Sequence, residues 1–193
     1  MSYLKKFCEV VRSRESFVIL DTETTGLHDG EICQIAIIDN TGKTLLNTLI
    51  KTAYPIPADA TAIHGWTDEH VKDSPTWILI APEVRRLLEG QLVVVYNAVY
   101  DRKMMHKSAE RHGMEKIDWK EIAQFECAME AYAEHYGEWN SYHESYRWQR
   151  LSHAAHTEGV TVENAHDALG DCLMTLGVVN AMLKGHDDVS QTD

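Results

Sequence analysis

The sequence predicts an α/β domain, on three observations. Two short apolar runs, Phe17-Val18-Ile19-Leu20 and Leu92-Val93-Val94-Val95-Tyr96, suit strands buried on both faces, and each leads into acids. Other stretches carry apolar residues at helical spacing. The 193 residues, 44% hydrophobic and 25% charged, suffice for one well-packed core and are short for two.

Residues 5–14 fit a short amphipathic helix, with Phe7, Cys8, Val10 and Val11 among charges. The Phe17–Leu20 run then passes into Asp21-Thr22-Glu23-Thr24-Thr25-Gly26-Leu27. Alternate side chains of a strand share a face, so Asp21 and Glu23 stand side by side with Thr22 turned away. Carboxylates that close repel unless a cation sits between them, and paired hard oxygens suit Mg²⁺ or Mn²⁺. A solvated acidic turn is the plainer reading of the stretch alone. Gly26 to Gly30 is a loop by composition, and Ile32 to Ile38 is a second, isoleucine-rich strand. The turn signal Asp39-Asn40-Thr41-Gly42 joins it as a hairpin to a third strand over Thr44 to Lys51.

Tyr54-Pro55-Ile56-Pro57 cannot continue a central strand and reads as an extended connection into Ala62-Ile63-His64-Gly65-Trp66-Thr67. Helix starts follow at Thr67-Asp68-Glu69 and at Ser74-Pro75, the latter running to Leu88-Glu89-Gly90 with Pro82 as a break in its pattern. Beyond Leu92 to Tyr96 comes Asn97-Ala98-Val99-Tyr100-Asp101. Ligands of open α/β sheets gather at the carboxyl ends of strands, so Asp21, Glu23 and Asp101 are expected to converge there. Tyr100 to His112 reads as a helix ended by Gly113, its Met104 and Met105 filling core.

Gln124 to Tyr136 has helical composition. Tyr136 to Trp148 gathers Tyr136, Trp139, Tyr142, Tyr146 and Trp148, with Arg147 and Arg150 close by. Such a segment is commonly a loop pinned to the body by its aromatics; the alternative is a platform on which bases stack. Trp148 to Glu158 reads as a helix ended by Gly159. The last element runs from Asn164 to about Leu183, with an apolar stripe of Leu169, Leu173, Leu176 and Val178 or Val179. His166 and Asp171, five apart, stand about 140° apart on an ideal helix and converge only if His166 lies in the loop before it. Asp167, four before Asp171, is the competing ligand or an acid favouring the helix dipole. A lone histidine at a helix entrance is usually structural.

A formal charge of −12 argues against tight, non-specific wrapping of nucleic acid, although cations held at a site would let a strand end dock locally. Cys8, Cys33, Cys127 and Cys172 form no Cys-x-x-Cys pair, which predicts reduced thiols rather than a zinc site or disulfides. Neither a signal peptide nor a membrane-length run is recognisable, so the expectation is a cytoplasmic protein without a membrane partner. Residues 1–184 are expected to form one domain and Gly185 to Asp193 a flexible tail.

Together, Asp21-x-Glu23-Thr24-Thr25-Gly26, Asn97-Ala98-x-Tyr100-Asp101 and His166-Asp167-Ala168-x-x-Asp171 resemble the three motifs of the DEDDh 3′→5′ exonucleases, the DnaQ-like relatives of the DNA polymerase III proofreading subunit. Ile63-His64-Gly65 is similar to a further element of that family, and the match runs in order from about Phe17 to Leu183. The resemblance implies a ribonuclease H-like fold, a central mixed five-stranded sheet flanked by helices. It implies that Asp21, Glu23, Asp101 and Asp171 hold two Mg²⁺ or Mn²⁺ ions, with Asp21 bridging, Glu23 and Asp171 on the water side and Asp101 on the leaving-group side. His166 would be the general base. Thr24 and the Gly26-Leu27 backbone would lie near the terminal 3′-hydroxyl, Leu27 as a wedge against the last base, and His64, Asn97 and Tyr100 near the terminal nucleotide. Three departures bear on nucleotide preference: Val95-Tyr96 where many relatives have Gly-His, Tyr100 where they have Phe, and Trp66 where an aliphatic residue is usual.

The implied partner is a single-stranded DNA 3′ end, with a second copy of the chain or a polymerase or repair complex as protein partners. The nearest alternative is an RNA-directed exoribonuclease of the same fold. From another class comes a nucleic-acid-binding subunit without independent activity, against which the complete set of acids and histidine argues.

Overall fold

The two apolar runs become adjacent parallel strands at the centre of one sheet. In the computed structural model, which describes residues 2–161 and 166–190, the chain starts with helix α1 (Tyr3–Arg12), followed by β1 (Val18–Thr24), β2 (Ile32–Asp39) and β3 (Thr44–Leu49). Next come α2 (Ala58–His64), α3 (Asp68–Val71), α4 (Trp77–Leu88), β4 (Leu92–Val95), α5 (Ala98–Arg111) and α6 (Trp119–Ile122). Strand β5 (Gln124–Cys127) leads into α7 (Ala128–Tyr136), and a ribbon of β6 (Trp139–Asn140) and β7 (Ser145–Tyr146) precedes α8 (Leu151–Thr157) and α9 (Ala168–Ser190). The sheet order is β3-β2-β1-β4-β5, antiparallel across β1/β2 and β2/β3 and parallel across β1/β4 and β4/β5. This is the mixed five-stranded sheet flanked by helices that the resemblance implied.

The central strands are dry. Ile19, Leu20 and Val93 to Val95 are fully buried, and each contributes about 1.5–3 kcal/mol of hydrophobic stabilisation. Helix α9 lies across β1 and β2, with α1, α7 and α8 beside it. Its buried side is Ala168, Cys172, Thr175, Val178, Val179 and Met182. Of the expected stripe, Leu176, Val178 and Val179 are buried, whereas Leu169 is half-buried and Leu173 is 46% exposed. Leu173 and Leu176 reach the β2/β3 turn at Gly42, whose position lies in van der Waals range of both.

Several elements differ from the sequence reading. Gln124 to Cys127 is not the start of a helix; it pairs in parallel with Leu92 to Val95 as the fifth strand. The backbone partners offered by β4 outweigh the helical leaning of Gln and Glu in so short a segment. Ala58–His64 and Trp119–Ile122 form short helices where none was expected. Pro82 does not divide α4, which begins at Trp77 rather than Ser74. Of the aromatics in residues 136–148, Tyr136 packs on Tyr132 and His153, but Tyr142 is 88% exposed and Trp148 68%, so the segment is pinned only at its start. Helix α9 continues through Gly185 to Ser190, so the expected tail is helical that far. Residues 162–165, with the expected beginning of the last element, and 191–193 lie outside the described residues. No helix among the described residues is long and apolar enough to cross a membrane.

A Cβ at Gly177 on α9 would stand 2.5 Å from Val160 Cγ1. Gly177→Ala should therefore lower the melting temperature, by an overpacking cost of about 1–3 kcal/mol. Thermal unfolding followed by circular dichroism checks this, and adding Val160→Ala should return part of the loss.

Candidate active site

The site forms where β1 outlasts its neighbour. Strand β4 pairs with β1 only at Val18 and Ile19, then turns away at Asn97, whose φ of 81° puts a left-handed kink between strand and α5. Asparagine tolerates that conformation better than most residues. Past the gap Asp21 and Glu23 stand on one face of β1, largely buried, and α9 delivers Asp171 to the same place. One carboxylate oxygen from each of Asp21, Glu23 and Asp171 lies within 4.8 Å of the others.

Alternation sends Thr22 to the opposite face, toward α5, where its hydroxyl donates to Asp101 Oδ1 at 2.8 Å. Asp101 is only 3% exposed and lies outside the three-oxygen group, yet its charge acts on both Asp21 and Glu23. Among the described residues, none of these four acids forms an ion pair with Lys or Arg. Burial, and then repulsion from Asp171, Asp101 and Asp167, pushes Glu23 up to about 8. Burial first, and then repulsion led by Asp101, holds Asp21 well above the carboxylate range. Burial raises Asp101 to about 7 against the lowering effect of the Thr22 hydrogen bond. Asp171 is raised by burial and partly relieved by the His166 amide. Mutually repelling hard oxygen donors, none in an ion pair with Lys or Arg among the described residues, fit Mg²⁺ or Mn²⁺.

His166 does precede the helix, as convergence with Asp171 required. It is exposed, adopts a φ of 65°, and its backbone N–H donates to Asp171 Oδ1 at 3.2 Å. The competing acid is otherwise engaged. Asp167 Oδ1 accepts from the amides of Leu169 and Gly170 at the start of α9, and Oδ2 accepts from Gln34 Nε2 at 2.9 Å.

Gln34 was missed in the sequence. It is 3% exposed, and its Oε1 accepts from both Trp66 Nε1 (2.9 Å) and the Ala168 amide (3.1 Å). One side chain thus ties the His64-Gly65-Trp66 segment to the entrance of α9. The available signal was a lone amide within Ile32-Cys33-Gln34-Ile35-Ala36-Ile37-Ile38. Trp66, a departure from the family pattern, supplies the indole that this amide binds.

The remaining candidates line two cavities. One, of about 270 Å³, is bounded by Glu23, Thr24, Gly26, Leu27, His64 and Tyr100. The other, of about 550 Å³, includes Leu27, Asn97, Trp148, Arg150, His166 and Asp171, so Leu27, 70% exposed, is common to both. The Tyr100 and Thr24 hydroxyls share a 2.5 Å hydrogen bond, and Tyr100 also donates to the Gly26 carbonyl at 3.3 Å. This second departure therefore closes the turn after β1. At Gly30 a Cβ would lie 2.3 Å from the Gly26 carbonyl oxygen, which requires glycine there. His64 Nδ1 accepts from the Trp66 amide at 3.0 Å. Burial holds His64 below the usual histidine range, against a hydrogen bond to the Thr24 backbone and with repulsion from His166 in the same direction.

The "Exonuclease" family (RNase_T) matches residues 18–179 of this sequence. The chain belongs to this exonuclease family. An uncharacterised exonuclease, CP81, of Escherichia phage 186 is 46% identical over 172 residues, covering 87% of this chain and 88% of its own. The PolC-type DNA polymerase III of Streptococcus thermophilus is 30% identical over 125 residues, which are 8% of that protein. E. coli exonuclease I, crystallised with zinc and single-stranded DNA, superimposes with a TM-score of 0.72 at 20% identity, covering 91% of this exonuclease and 41% of its own chain. Exonuclease X, in complex with 5′-overhanging duplex DNA, gives 0.66 at 24% identity and 93% of its chain. This exonuclease thus has a DnaQ-like, ribonuclease H-like fold, and spans under half of exonuclease I and under a tenth of the polymerase.

Two predictions follow from the charges and the amide. Glu23 ionises at about 8 when folded against 4.5 ordinarily, so its share of stability is complete below 4.5 and is lost as pH rises through 8. Without metal, the melting temperature of the exonuclease should fall from about pH 6 to about pH 8.5, less steeply in Glu23→Gln. Mg²⁺ should raise it, more at the higher pH, since protons compete for the same oxygens. Gln34→Leu orphans the Trp66 indole and the Ala168 amide at about 1–3 kcal/mol each. Its melting temperature should drop, and Gln34→Leu with Trp66→Phe should regain part.

Proposed function

We propose that this enzyme is a divalent-cation-dependent 3′→5′ exonuclease that releases nucleoside monophosphates from single-stranded DNA ends. The observation that carries the reading is the meeting of the Asp21, Glu23 and Asp171 oxygens within 4.8 Å, with Asp171 and His166 lining one cavity beside them. Asp21, Glu23, Asp101 and Asp171 would hold two Mg²⁺ or Mn²⁺ ions. Bound there, such ions activate water as a nucleophile and neutralise charge on the departing oxygen.

The protein's own groups do the rest. His166 accepts the proton of the attacking water. The new P–O bond forms as the bond to the 3′-oxygen of the preceding nucleotide breaks, leaving a 5′-monophosphate and a strand one unit shorter with a 3′-hydroxyl. Thr24, held by Tyr100, and the Gly26-Leu27 backbone receive the terminal sugar. Leu27 separates the last base from the one before it, and His64 and Asn97 flank the terminal nucleotide. Exonuclease I shares the fold and is bound to single-stranded DNA in its crystal structure, which supports the choice of strand.

Digestion of 3′-labelled and 5′-labelled oligonucleotides with Mn²⁺ tests the reading. The 5′ label should yield a descending ladder and the 3′ label an immediate mononucleotide; matched RNA should be cut more slowly. A 5′-mononucleotide appearing first from the other end would overturn the polarity. Asp21→Ala and Asp101→Ala should reduce turnover to background while the far-ultraviolet spectrum is retained. His166→Ala should lower kcat by about 10²–10⁴-fold, with a smaller effect on metal affinity.

A further inference from the structure

Trp148 and Arg150 belong to the cleft but have no role in the chemistry above. They line the same cavity of about 550 Å³ as His166, Asp171, Asn97 and Leu27. The ribbon before them satisfies itself: Trp139 and Tyr146 pack edge to face, with centroids 5.1 Å apart at 78°. Trp148 is different. It is 68% exposed, and among the described residues its indole meets no other ring. Arg150 is exposed and forms no ion pair among the described residues.

The backbone between these two side chains is nevertheless fixed. Tyr96, 8% exposed at the end of β4, donates its hydroxyl to the Gln149 carbonyl at 2.9 Å. Glu138 holds the other side: its carbonyl accepts from the Arg147 backbone amide at 2.9 Å, and its carboxylate accepts from the Gln149 side-chain Nε2 at 3.2 Å and lies 3.3 Å from the Arg147 guanidinium. A solvent-facing indole on an anchored strand offers a flat π-face at little ordering cost. A guanidinium two residues on offers phosphate contacts or a second stacking plane.

Resting on the exonuclease reading, we propose that Trp148 and Arg150 form an upstream subsite on which the unpaired bases behind the terminal nucleotide stack, and that Tyr96 is its positioning residue. Such a subsite would let a chain of net charge −12 hold an unpaired strand, since base faces attract an indole irrespective of the surrounding charge.

The test is binding of a 5′-fluorescent decathymidylate, with Ca²⁺ replacing Mg²⁺, followed by anisotropy. Trp148→Ala should weaken binding about fivefold or more, Trp148→Phe should restore most of it, and Tyr96→Phe should lie between. Replacing the upstream nucleotides by abasic spacers should weaken binding to the wild type and leave the affinity of Trp148→Ala as it was. Equal loss on normal and abasic strands would make Trp148 structural and overturn the proposal. Undiminished binding by Trp148→Ala, or no binding by the wild type, would overturn it too. If the wild type binds through Trp148 but releases no nucleotide with Mg²⁺ or Mn²⁺, the subsite stands and the exonuclease reading falls.

Discussion

The central constraint is repulsion among acids that the fold refuses to separate. Asp21 and Glu23 come from one face of β1, Asp171 from the first turn of α9, and Asp101 from the far side through Thr22. Left to themselves these groups would swing into water. Packing prevents it: the sheet is dry beneath them, and α9 is seated on that sheet by Cys172, Val178, Val179 and Met182. The strain of gathered charge is what makes the place attractive to a cation. Core packing and cation binding are thus two ends of one balance.

Polar residues around the acids hold the segments that carry them rather than the acids alone. Gln34 joins the Trp66 segment to the entrance of α9, Asp167 caps that entrance, and Tyr100 ties Thr24 to the loop bearing Leu27. The three departures from the family pattern therefore have structural counterparts here. Trp66 finds Gln34 and Tyr100 finds Thr24, each through a polar atom that an aliphatic or phenyl side chain lacks, and the Tyr96 hydroxyl finds Gln149.

The sheet's central strands and the acids were legible because strand periodicity is short range. Phe17 to Leu20 and Leu92 to Tyr96 state their burial in composition, and Asp21 and Glu23 state their shared face in spacing. What escaped was set by distant partners. Gln124 to Cys127 is a strand because β4 lies alongside it, and within the α9 stripe Leu173 stands out of the core because it lies over the turn at Gly42. His166 could be placed only conditionally, since its left-handed backbone depends on the Asp171 carboxylate five residues later. Gln34 left a faint trace, one amide among isoleucines, whose meaning required knowing where Trp66 and Ala168 would lie.

Among the described residues, the larger cleft has a single Lys or Arg in its lining, Arg150. A strand seated there displaces few condensed counterions, so its affinity should depend only shallowly on ionic strength, unlike that of proteins that grip nucleic acid by many phosphates. Added salt would also screen the long-range repulsion between an acidic protein and a polyanion, easing their encounter. On the proposed function, rising salt would therefore loosen this enzyme's hold on a strand less than that of a nuclease with a basic groove.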